Sequence, residues 1–272
     1  MKLNYISACL LILAMITSCT KEDPIADIST TDPGSTMLSQ ILDNGTPVNE
    51  YSYNATDLIG EEKSKYDLSV NHYNNQNQLS STDYYVNFNI LSADLQVADS
   101  ALNQTAWVTP DNSNKSGTLA YYYNSGGQLA KSTYKPVAGI PQSSEFTYNS
   151  DNRISREILR WGDTETGYIS YVYDNKGNLA EEYLYNVVSG VAELSVSKVY
   201  EYDSGINPYK TVSHTALPGL YSNPNNIVKE TYTMYARAGE GNDNVQITEN
   251  YYQYNTLGYP VSKNGNIKYV YK

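Results

Sequence analysis

The residue types that most often carry out chemistry are scarce in this chain of 272 residues. It contains two histidines, His72 and His214, and two cysteines, Cys9 and Cys19. Nucleophilic triads and metal sites need such residues at characteristic spacings, and no such spacing occurs here. No glycine-rich phosphate loop follows a strand and opens a helix. We therefore expect no cofactor, no metal site and no catalytic residue.

Acidic residues are the remaining candidates for catalysis, because glycosidases use two carboxyl groups that flank the scissile bond. Glu181 and Glu182 are adjacent in a strand pattern, and adjacent residues of a strand point to opposite faces. We interpret Glu61-Glu62 as solvated residues in or near a turn. The sequence therefore predicts a protein that is not an enzyme, although two acids from distant segments could still meet in the fold.

The N-terminal segment has the pattern of a secretory signal peptide. Lys2 precedes an apolar run from Tyr5 to Ile16, which is too short to span a bilayer. The run ends in Ile16-Thr17-Ser18-Cys19, which resembles the lipobox of bacterial lipoproteins. This resemblance implies that residues 1–18 are removed and that Cys19 becomes a lipidated N-terminus. An ordinary signal peptide with a chance cysteine is the alternative.

The residues after the cysteine suggest where the protein is displayed. Lys21, Glu22 and Asp23 resemble the surface-export signal of Bacteroidetes-type lipoproteins, and a solvated acidic linker is the alternative. Residues 19–36 are rich in Ser, Thr, Asp and Pro, so we expect a lipidated N-terminus followed by a flexible linker. We therefore expect a lipid-anchored outer-membrane protein at the cell surface, with a periplasm-facing orientation left open.

The composition narrows the choice of partners and of architecture. The net charge of −11 repels phosphate backbones, so nucleic acid is not an expected partner. The chain has 29 Tyr beside two Phe and two Trp. Tyrosine favours strands and can bury its ring while its hydroxyl stays hydrated. This composition is typical of sheets with a thin apolar interior.

An internal repeat is the strongest structural signal in the sequence. The pattern is aromatic-x-Tyr-[Asn/Asp]-x-x-[Gly/Asn]-x-[Leu/Ile], and its second aromatics Tyr123, Tyr148 and Tyr173 lie 25 residues apart. It predicts a hairpin whose type I turn is followed by a left-handed residue. The structural turn residues predicted in this way are Asn124, Gly127, Asn149, Asn152, Asp174, Gly177, Asn255 and Gly258.

The same turn predicts which residues pair across each hairpin. Tyr173 should lie opposite Leu179, with Val172 opposite Ala180 and Tyr171 opposite Glu181. By the same reasoning the other repeat tyrosines face the aliphatic residue after their turn. We therefore assign six turn-flanking tyrosines to the fold rather than to ligand binding: Tyr73, Tyr123, Tyr148, Tyr173, Tyr202 and Tyr254.

These hairpins predict an all-β fold: an antiparallel up-and-down meander of repeated β-hairpins, in one domain over residues 37–272. A twisted sheet of more than about ten strands tends to curl, split or close. We therefore expect a sheet that is closed or strongly curved into a barrel. The segment Ser92–Leu102 has helical spacing, and a helix and a strand pair both stay open there. The segment Leu217–Asn226 is expected to be a long loop.

The Tyr-Asp-x-x-Gly-x-Leu turns resemble the YD repeats of bacterial wall-associated and Rhs-type proteins. With the lipobox and the variant that runs from Tyr202-Asp203 to Asn207-Pro208-Tyr209, the chain resembles a family of Bacteroidetes lipoproteins. That family is a domain of unknown function with a porin-like fold, and the resemblance covers about Leu38 to Tyr271. It implies an antiparallel barrel or strongly curved meander and implies no activity.

Three classes of function follow from these observations. We favour a non-catalytic binding or adhesion module at the cell surface, held to the membrane by its lipid anchor, with a glycan or protein as ligand. A structural envelope lipoprotein or an accessory subunit of an envelope complex is the alternative. A membrane-inserted barrel fits the alternation but lacks a continuous outward apolar band. The candidate ligand contacts lie away from the repeat turns: Tyr221, Tyr235 and Trp161.

Overall fold

The computed structural model describes residues 36–86, 107–212, 217–236 and 241–272. The expected signal peptide, Cys19 and the Lys21-Glu22-Asp23 motif lie outside the described residues. So do His214 and the segment Ser92–Leu102. Residues Asp32–Lys272 form one compact unit.

The described residues form one sheet of 17 strands, in which every pair of neighbouring strands is antiparallel. Apart from β14 and β15, described strands that follow each other in the chain pair antiparallel, so the predicted all-β antiparallel meander is confirmed. The strands are β1 Leu38–Asp43, β2 Thr46–Tyr53, β3 Ile59–Ser64, β4 Asp67–Tyr73, β5 Leu79–Val86, β6 Lys115–Tyr123, β7 Leu129–Pro136, β8 Gln142–Tyr148, β9 Ile154–Trp161, β10 Thr164–Tyr173, β11 Leu179–Val188, β12 Val191–Ile206, β13 Asn225–Met234, β14 Asn244–Glu249, β15 Tyr252–Tyr254, β16 Pro260–Lys263 and β17 Ile267–Tyr271.

The repeat turns share one geometry, which the turn after β6 illustrates. The Asn124 side-chain oxygen accepts the N–H groups of Gly126 and Gln128 at 2.9 and 3.0 Å. The Asn124 carbonyl accepts the N–H of Gly127, whose φ is +80°. The same side-chain bonds occur at Asn149, Asp174 and Asn255. A type I turn followed by a left-handed residue thus closes these hairpins.

The pairing register departs from the sequence expectation just beyond the turn. Tyr173 lies opposite Leu179 as predicted, but Val172 pairs with Glu181 instead of Ala180. Tyr171 accordingly pairs with Glu182 instead of Glu181. The reason is a β-bulge: the strand that follows the turn contains one extra residue without a partner. This residue shifts every pair farther from the turn by one position. The same shift accompanies the turn-flanking tyrosines of β2, β4, β6, β8 and β15.

The copy of the motif at Tyr202 forms no hairpin turn. Strand β12 continues through it to Ile206, and a 3₁₀ helix, Pro208–Val212, follows. The chain then returns through the predicted loop to β13. Buried asparagines hold this excursion in place: the Asn207 amide donates to the carbonyls of Leu220 and Asn223. The Asn223 side-chain oxygen accepts the backbone N–H of Leu179 at 2.8 Å.

Most of the apolar core lies in two clusters on one face of the sheet, while Leu68, Val108 and Leu179 are buried outside them. The first contains Leu38, Ile41, Tyr51, Ile59, Val212 and Tyr269, and the second contains Leu79, Tyr121, Leu129, Phe146 and Ile154. Val212 of the 3₁₀ helix belongs to the first cluster, while Leu217 packs against the second. The excursion between β12 and β13 therefore covers this face, which we call the inner face.

Strand pairing joins the two ends of the meander. β1 pairs with both β2 and β17, so the first and last described strands are neighbours. β14 pairs with β13, and β15 pairs with β16. Among the described residues no ladder links β14 to β15, which follow each other directly in the chain.

Candidate ligand-binding site

A row of polar and aromatic residues crosses the inner face from β2 to β5. Tyr51 is the register partner of Glu62, and Glu62 is that of Ser69 on β4. Ser69 in turn pairs with Tyr84, and Tyr84 with Gly117 of β6. Register partners point to the same face of a sheet, so these side chains lie side by side. Gly117 accommodates the ring of Tyr134, because a Cβ there would lie 2.7 Å from that ring, and Tyr134 packs against Tyr84 with the ring centroids 6.2 Å apart.

A cavity of about 490 Å³ lies between this row and the loop after the 3₁₀ helix. Polar groups line its sheet side together with the rings of Tyr84 and Tyr121. Leu217, Pro218 and Tyr221 line its loop side. Its polar lining residues on the sheet are Asn49, Glu62, Asp67, Ser69 and Thr82. This combination of a concave shape, aromatic surface and a few polar groups is typical of small-ligand sites.

Glu62 is the most unusual group in the cavity. Burial raises the pKa of its carboxyl group above the ordinary value, although hydrogen bonds from Tyr221 and Tyr51 act in the opposite direction. The Tyr221 hydroxyl donates to Oε1 of Glu62 at 2.9 Å. The interpretation of Glu62 as a solvated turn residue is therefore wrong: it lies within β3, and its side chain is withdrawn from water by the loop.

A second carboxylate, Asp67, lines the same cavity at the turn between β3 and β4. Its Oδ1 accepts the hydroxyl of Ser64 at 2.6 Å, and the Ser64 hydroxyl oxygen accepts the Asp67 N–H at 3.1 Å. Asp67 thereby ties down its own turn. The negative charge of Asp67 also contributes, after burial, to the raised pKa of Glu62.

Burial also raises the pKa of each cavity tyrosine, so its hydroxyl keeps its proton at neutral pH. For Tyr84 and Tyr221 the negative charge of Glu62 adds to the effect of burial. For Tyr121, hydrogen bonds to Thr82 and Tyr84 partly offset it. The cavity therefore presents hydroxyl groups that can both donate and accept hydrogen bonds.

The three candidate ligand contacts from the sequence line three different cavities. Tyr221 lines the cavity described above and packs against the first core cluster, with its ring 5.7 Å from that of Tyr209. Tyr235 lines a cavity near the β11–β12 turn, and its hydroxyl lies 3.1 Å from that of Ser197. Trp161 ends β9 with 53% of its surface exposed and lines a smaller cavity. The structure does not bring these side chains together.

His72 lies on an exposed strand position, with Nε2 3.3 Å from Oδ2 of Asp83. Asp83 also accepts a hydrogen bond from Thr118 and forms an ion pair with Lys115 at 2.8 Å. This is a surface charge cluster outside the cavity. Within the part of the chain that the structure describes, no group of three or more His, Cys, Asp or Glu could hold a metal ion.

Sequence reasoning missed Glu62 because it overlooked one copy of the repeat. Tyr51-Ser52-Tyr53-Asn54 is followed by Asp57, with a φ of +58°, and by Ile59. Once this copy is aligned, Glu62 stands three residues after the buried aliphatic position. The corresponding residue of β5 is Thr82, and that of β7 is Ser132, both buried. That alignment would have placed Glu62 on the inner face.

Comparison with known proteins gives likenesses of fold. The chain is similar to a porin-like protein from Bacteroides uniformis, at 12% identity and a TM-score of 0.47, over 88% of this chain and 99% of that one. A porin-like protein from Bacteroides vulgatus gives 12% identity and a TM-score of 0.39 over 87% and 99%. A Bacteroides fragilis protein of unknown function gives 9% and 0.22 over 68% and 92%. No family model and no curated protein matches the chain.

Among the described residues, no helix combines the length and the apolar character needed to span a bilayer.

Proposed function

We propose that this protein is a lipid-anchored outer-membrane lipoprotein that acts as a non-catalytic binding module at the cell surface. The observation that carries the proposal is the cavity between the inner face and the loop that contains Tyr221. It offers aromatic rings and hydroxyl, amide and carboxyl groups in one concavity of about 490 Å³. The lipobox at Cys19 and the Lys21-Glu22-Asp23 motif support the anchored, surface-exposed location.

The ligand class that best fits this lining is a short, neutral saccharide. The half-buried Tyr84 offers ring surface on which the apolar face of a sugar can pack, as aromatic rings do with other flat apolar groups. Asn49 and Ser69, both partly exposed, offer side-chain donors and acceptors for sugar hydroxyls. An anionic ligand is disfavoured, because Glu62 and Asp67 both line the cavity.

A binding role agrees better than catalysis with the surroundings of the two acids. Glu62 is engaged by the Tyr221 hydroxyl, and Asp67 by the Ser64 hydroxyl at 2.6 Å. Both carboxyl groups thus contribute to holding the loop and the turn that form the cavity walls. Hydrolysis of a bound oligosaccharide that disappears in Glu62→Gln would replace the binding proposal by a glycosidase reaction.

We also propose that the sheet curves until it closes on itself, which would make the inner face the lining of a closed wall. The pairing of β1 with β17 supports this closure. So does the chain path at Asn250 and Tyr251, where β14 leads directly into β15 and each of the two pairs with a different neighbour.

The binding proposal is tested by filling the cavity. The full chain, purified in a mild detergent, is applied to an array of neutral and acidic oligosaccharides, and each hit is titrated by calorimetry. Ser69→Tyr places a ring in the cavity from a partly buried position, and we expect it to weaken binding at least tenfold. Tyr122→Ala is the matched control, because Tyr122 is 52% exposed and lies on the other face of β6. Failure to bind any saccharide, or equal affinity of Ser69→Tyr and the parent, would contradict the proposal.

A further inference from the structure

Strand β14 is exposed over its whole length. All six residues from Asn244 to Glu249 are exposed, including Val245 at 55% and Ile247 at 60%. Among the described residues β14 pairs with β13 alone, so its other edge is open. The tip of the β16–β17 hairpin reaches only the end of the strand, where the Asn264 side chain accepts the N–H of Tyr251 at 2.8 Å.

The direction of the backbone groups along β14 follows from one hydrogen bond at its end. The N–H of Asn250 donates to the carbonyl of Val228 on the β13 side at 2.8 Å. Residues of an antiparallel strand alternate between bonding to one neighbour and to the other. Val245, Ile247 and Glu249 therefore direct their N–H and C=O groups to the open edge, with two apolar side chains beside them.

Most of the usual protections of an edge strand are absent from β14, whose only charged residue is Glu249 at its end. Natural sheets shield exposed edges with proline, lysine, a β-bulge or a covering segment. The strand reads Asn-Val-Gln-Ile-Thr-Glu, with neither proline nor lysine, and its ladder with β13 has no register shift. Each residue from Lys229 to Met234 has one direct partner on β14. A straight, regular and partly apolar edge of this kind is a template for a further strand.

We propose that the open edge of β14 pairs antiparallel with β14 of a second copy of this chain, forming a two-fold dimer with a continuous sheet. An antiparallel pair of identical strands is self-complementary, which is the condition for a closed two-fold interface. The residues whose N–H and C=O groups face the open edge are odd-numbered. Hydrogen bonds between the two copies therefore require an odd-numbered residue of one copy to lie opposite an odd-numbered residue of the other. The two-fold axis then passes at Gln246 or at Ile247.

Both registers bring the apolar residues of the two copies together. An axis at Gln246 places Val245 opposite Ile247 of the second copy, and an axis at Ile247 places the two Ile247 side chains opposite each other. Apolar β-branched pairs of this kind stabilise antiparallel ladders. The net charge of −11 opposes association at low ionic strength. Screening over about 8 Å at physiological salt limits that repulsion.

The dimer is tested with a substitution that removes only the open edge. Ile247→Pro deletes an N–H that points away from β13, so the β13–β14 ladder keeps its bonds. Sedimentation of the full chain in density-matched detergent should show a concentration-dependent dimer, weakened at least tenfold by Ile247→Pro. Val191→Lys is the matched control, since Val191 is an equally exposed apolar residue at the β11–β12 hairpin, and it should dimerise like the parent. A parent that stays monomeric, or an Ile247→Pro variant that dimerises unchanged, overturns the proposal.

Cysteine trapping in whole cells gives a second, independent readout. A cysteine on the axis lies close to its own copy in the partner, so Gln246→Cys or Ile247→Cys should form a disulfide-linked dimer on non-reducing gels. The parent chain reports any background from Cys9 and Cys19, and Val191→Cys reports random collisions at the surface. Trapping no greater than with Val191→Cys at both β14 positions overturns the proposal, even where Ile247→Pro fails to fold.

Discussion

At the scale of the residue, the protonation of Glu62 makes the free energy of unfolding depend on pH. Burial raises the pKa of its carboxyl group in the folded chain. The folded state therefore takes up a proton more readily than the unfolded state, and the free energy of unfolding falls as the pH rises through the folded pKa. Below the ordinary carboxyl pKa both states are protonated and the penalty disappears.

We expect Glu62→Gln to melt at a higher temperature than the parent at neutral pH, with a difference that shrinks to nothing near pH 4. The amide oxygen of the variant can still accept the Tyr221 hydroxyl while no charge is buried. Thermal melts between pH 4 and pH 8 would measure this difference. Glu61→Gln is the control, because it makes the same change at the adjacent residue of β3, which points to the opposite face. The assignment would be contradicted if the melting temperature of Glu62→Gln, taken relative to that of the parent, were lower at neutral pH than at pH 4.

Single residues also show where sequence reasoning reached its limit. The turn residues were recognisable because only glycine, asparagine and aspartate adopt positive φ readily, and Gly127 and Asn152 do so at +80° and +62°. Glu62 was not recognisable by simple alternation. The bulge after each turn inserts one residue, so the inner face resumes three residues after the buried aliphatic residue instead of two.

At the scale of the element, tyrosine hydroxyls fasten each hairpin to the one before it. Tyr123 donates to the carbonyl of Leu79 at 2.9 Å, and Tyr148 donates to that of Leu129 at 2.8 Å. The acceptor is in each case the buried aliphatic residue that opens a strand of the preceding hairpin. The same bond is made by Tyr53, Tyr73, Tyr173 and Tyr202. The abundance of tyrosine relative to phenylalanine thus has a structural cause.

We expect Tyr123→Phe to lower the free energy of unfolding by about 0.5–1.5 kcal/mol, because it removes one such bond and leaves the Leu79 carbonyl without this donor. Urea titration followed by circular dichroism would measure the loss. Tyr122→Phe should be neutral, since that ring is on the exposed face of the same strand. Equal losses in both variants would show that the hydroxyl bond contributes nothing.

One element could not have been placed from its sequence. The Tyr202 copy of the motif has Ile206 where the left-handed residue is expected and Pro208 after it, so the sequence leaves its geometry open. In the structure the Asp203 carboxylate accepts the N–H groups of Gly205 and Asn226. These bonds keep β12 extended to Ile206, and the excursion that follows folds over the inner face. The bond to Asn226 joins residues 23 positions apart, so no local pattern indicates it.

At the scale of the whole molecule, the antiparallel meander followed from the repeat, because a short repeat turn makes the two strands that it joins pair with each other. The lipid anchor is a prediction that rests on Cys19. We expect a fatty-acid probe supplied to growing cells to label the parent chain and to miss Cys19→Ala, because that cysteine is the expected site of lipid attachment. Labelling of Cys19→Ala at the parent level would remove the basis for the anchor, and protein blots of both variants control for expression.

The ladder between β1 and β17 has a consequence for how the chain reaches its folded state. The Ser39 hydroxyl donates to the carbonyl of Val270, 231 residues further along the chain. Loop closure over such a separation is entropically costly, and structures rich in distant contacts fold slowly. The second core cluster is built mainly from neighbouring hairpins and can form early, whereas Leu38 and Ile41 wait for Tyr269 before the first cluster is complete. Until β17 has been synthesised and pairs with it, β1 has one unpaired edge. Unpaired strand edges can pair with other chains, so the newly made chain depends most on chaperones during this interval.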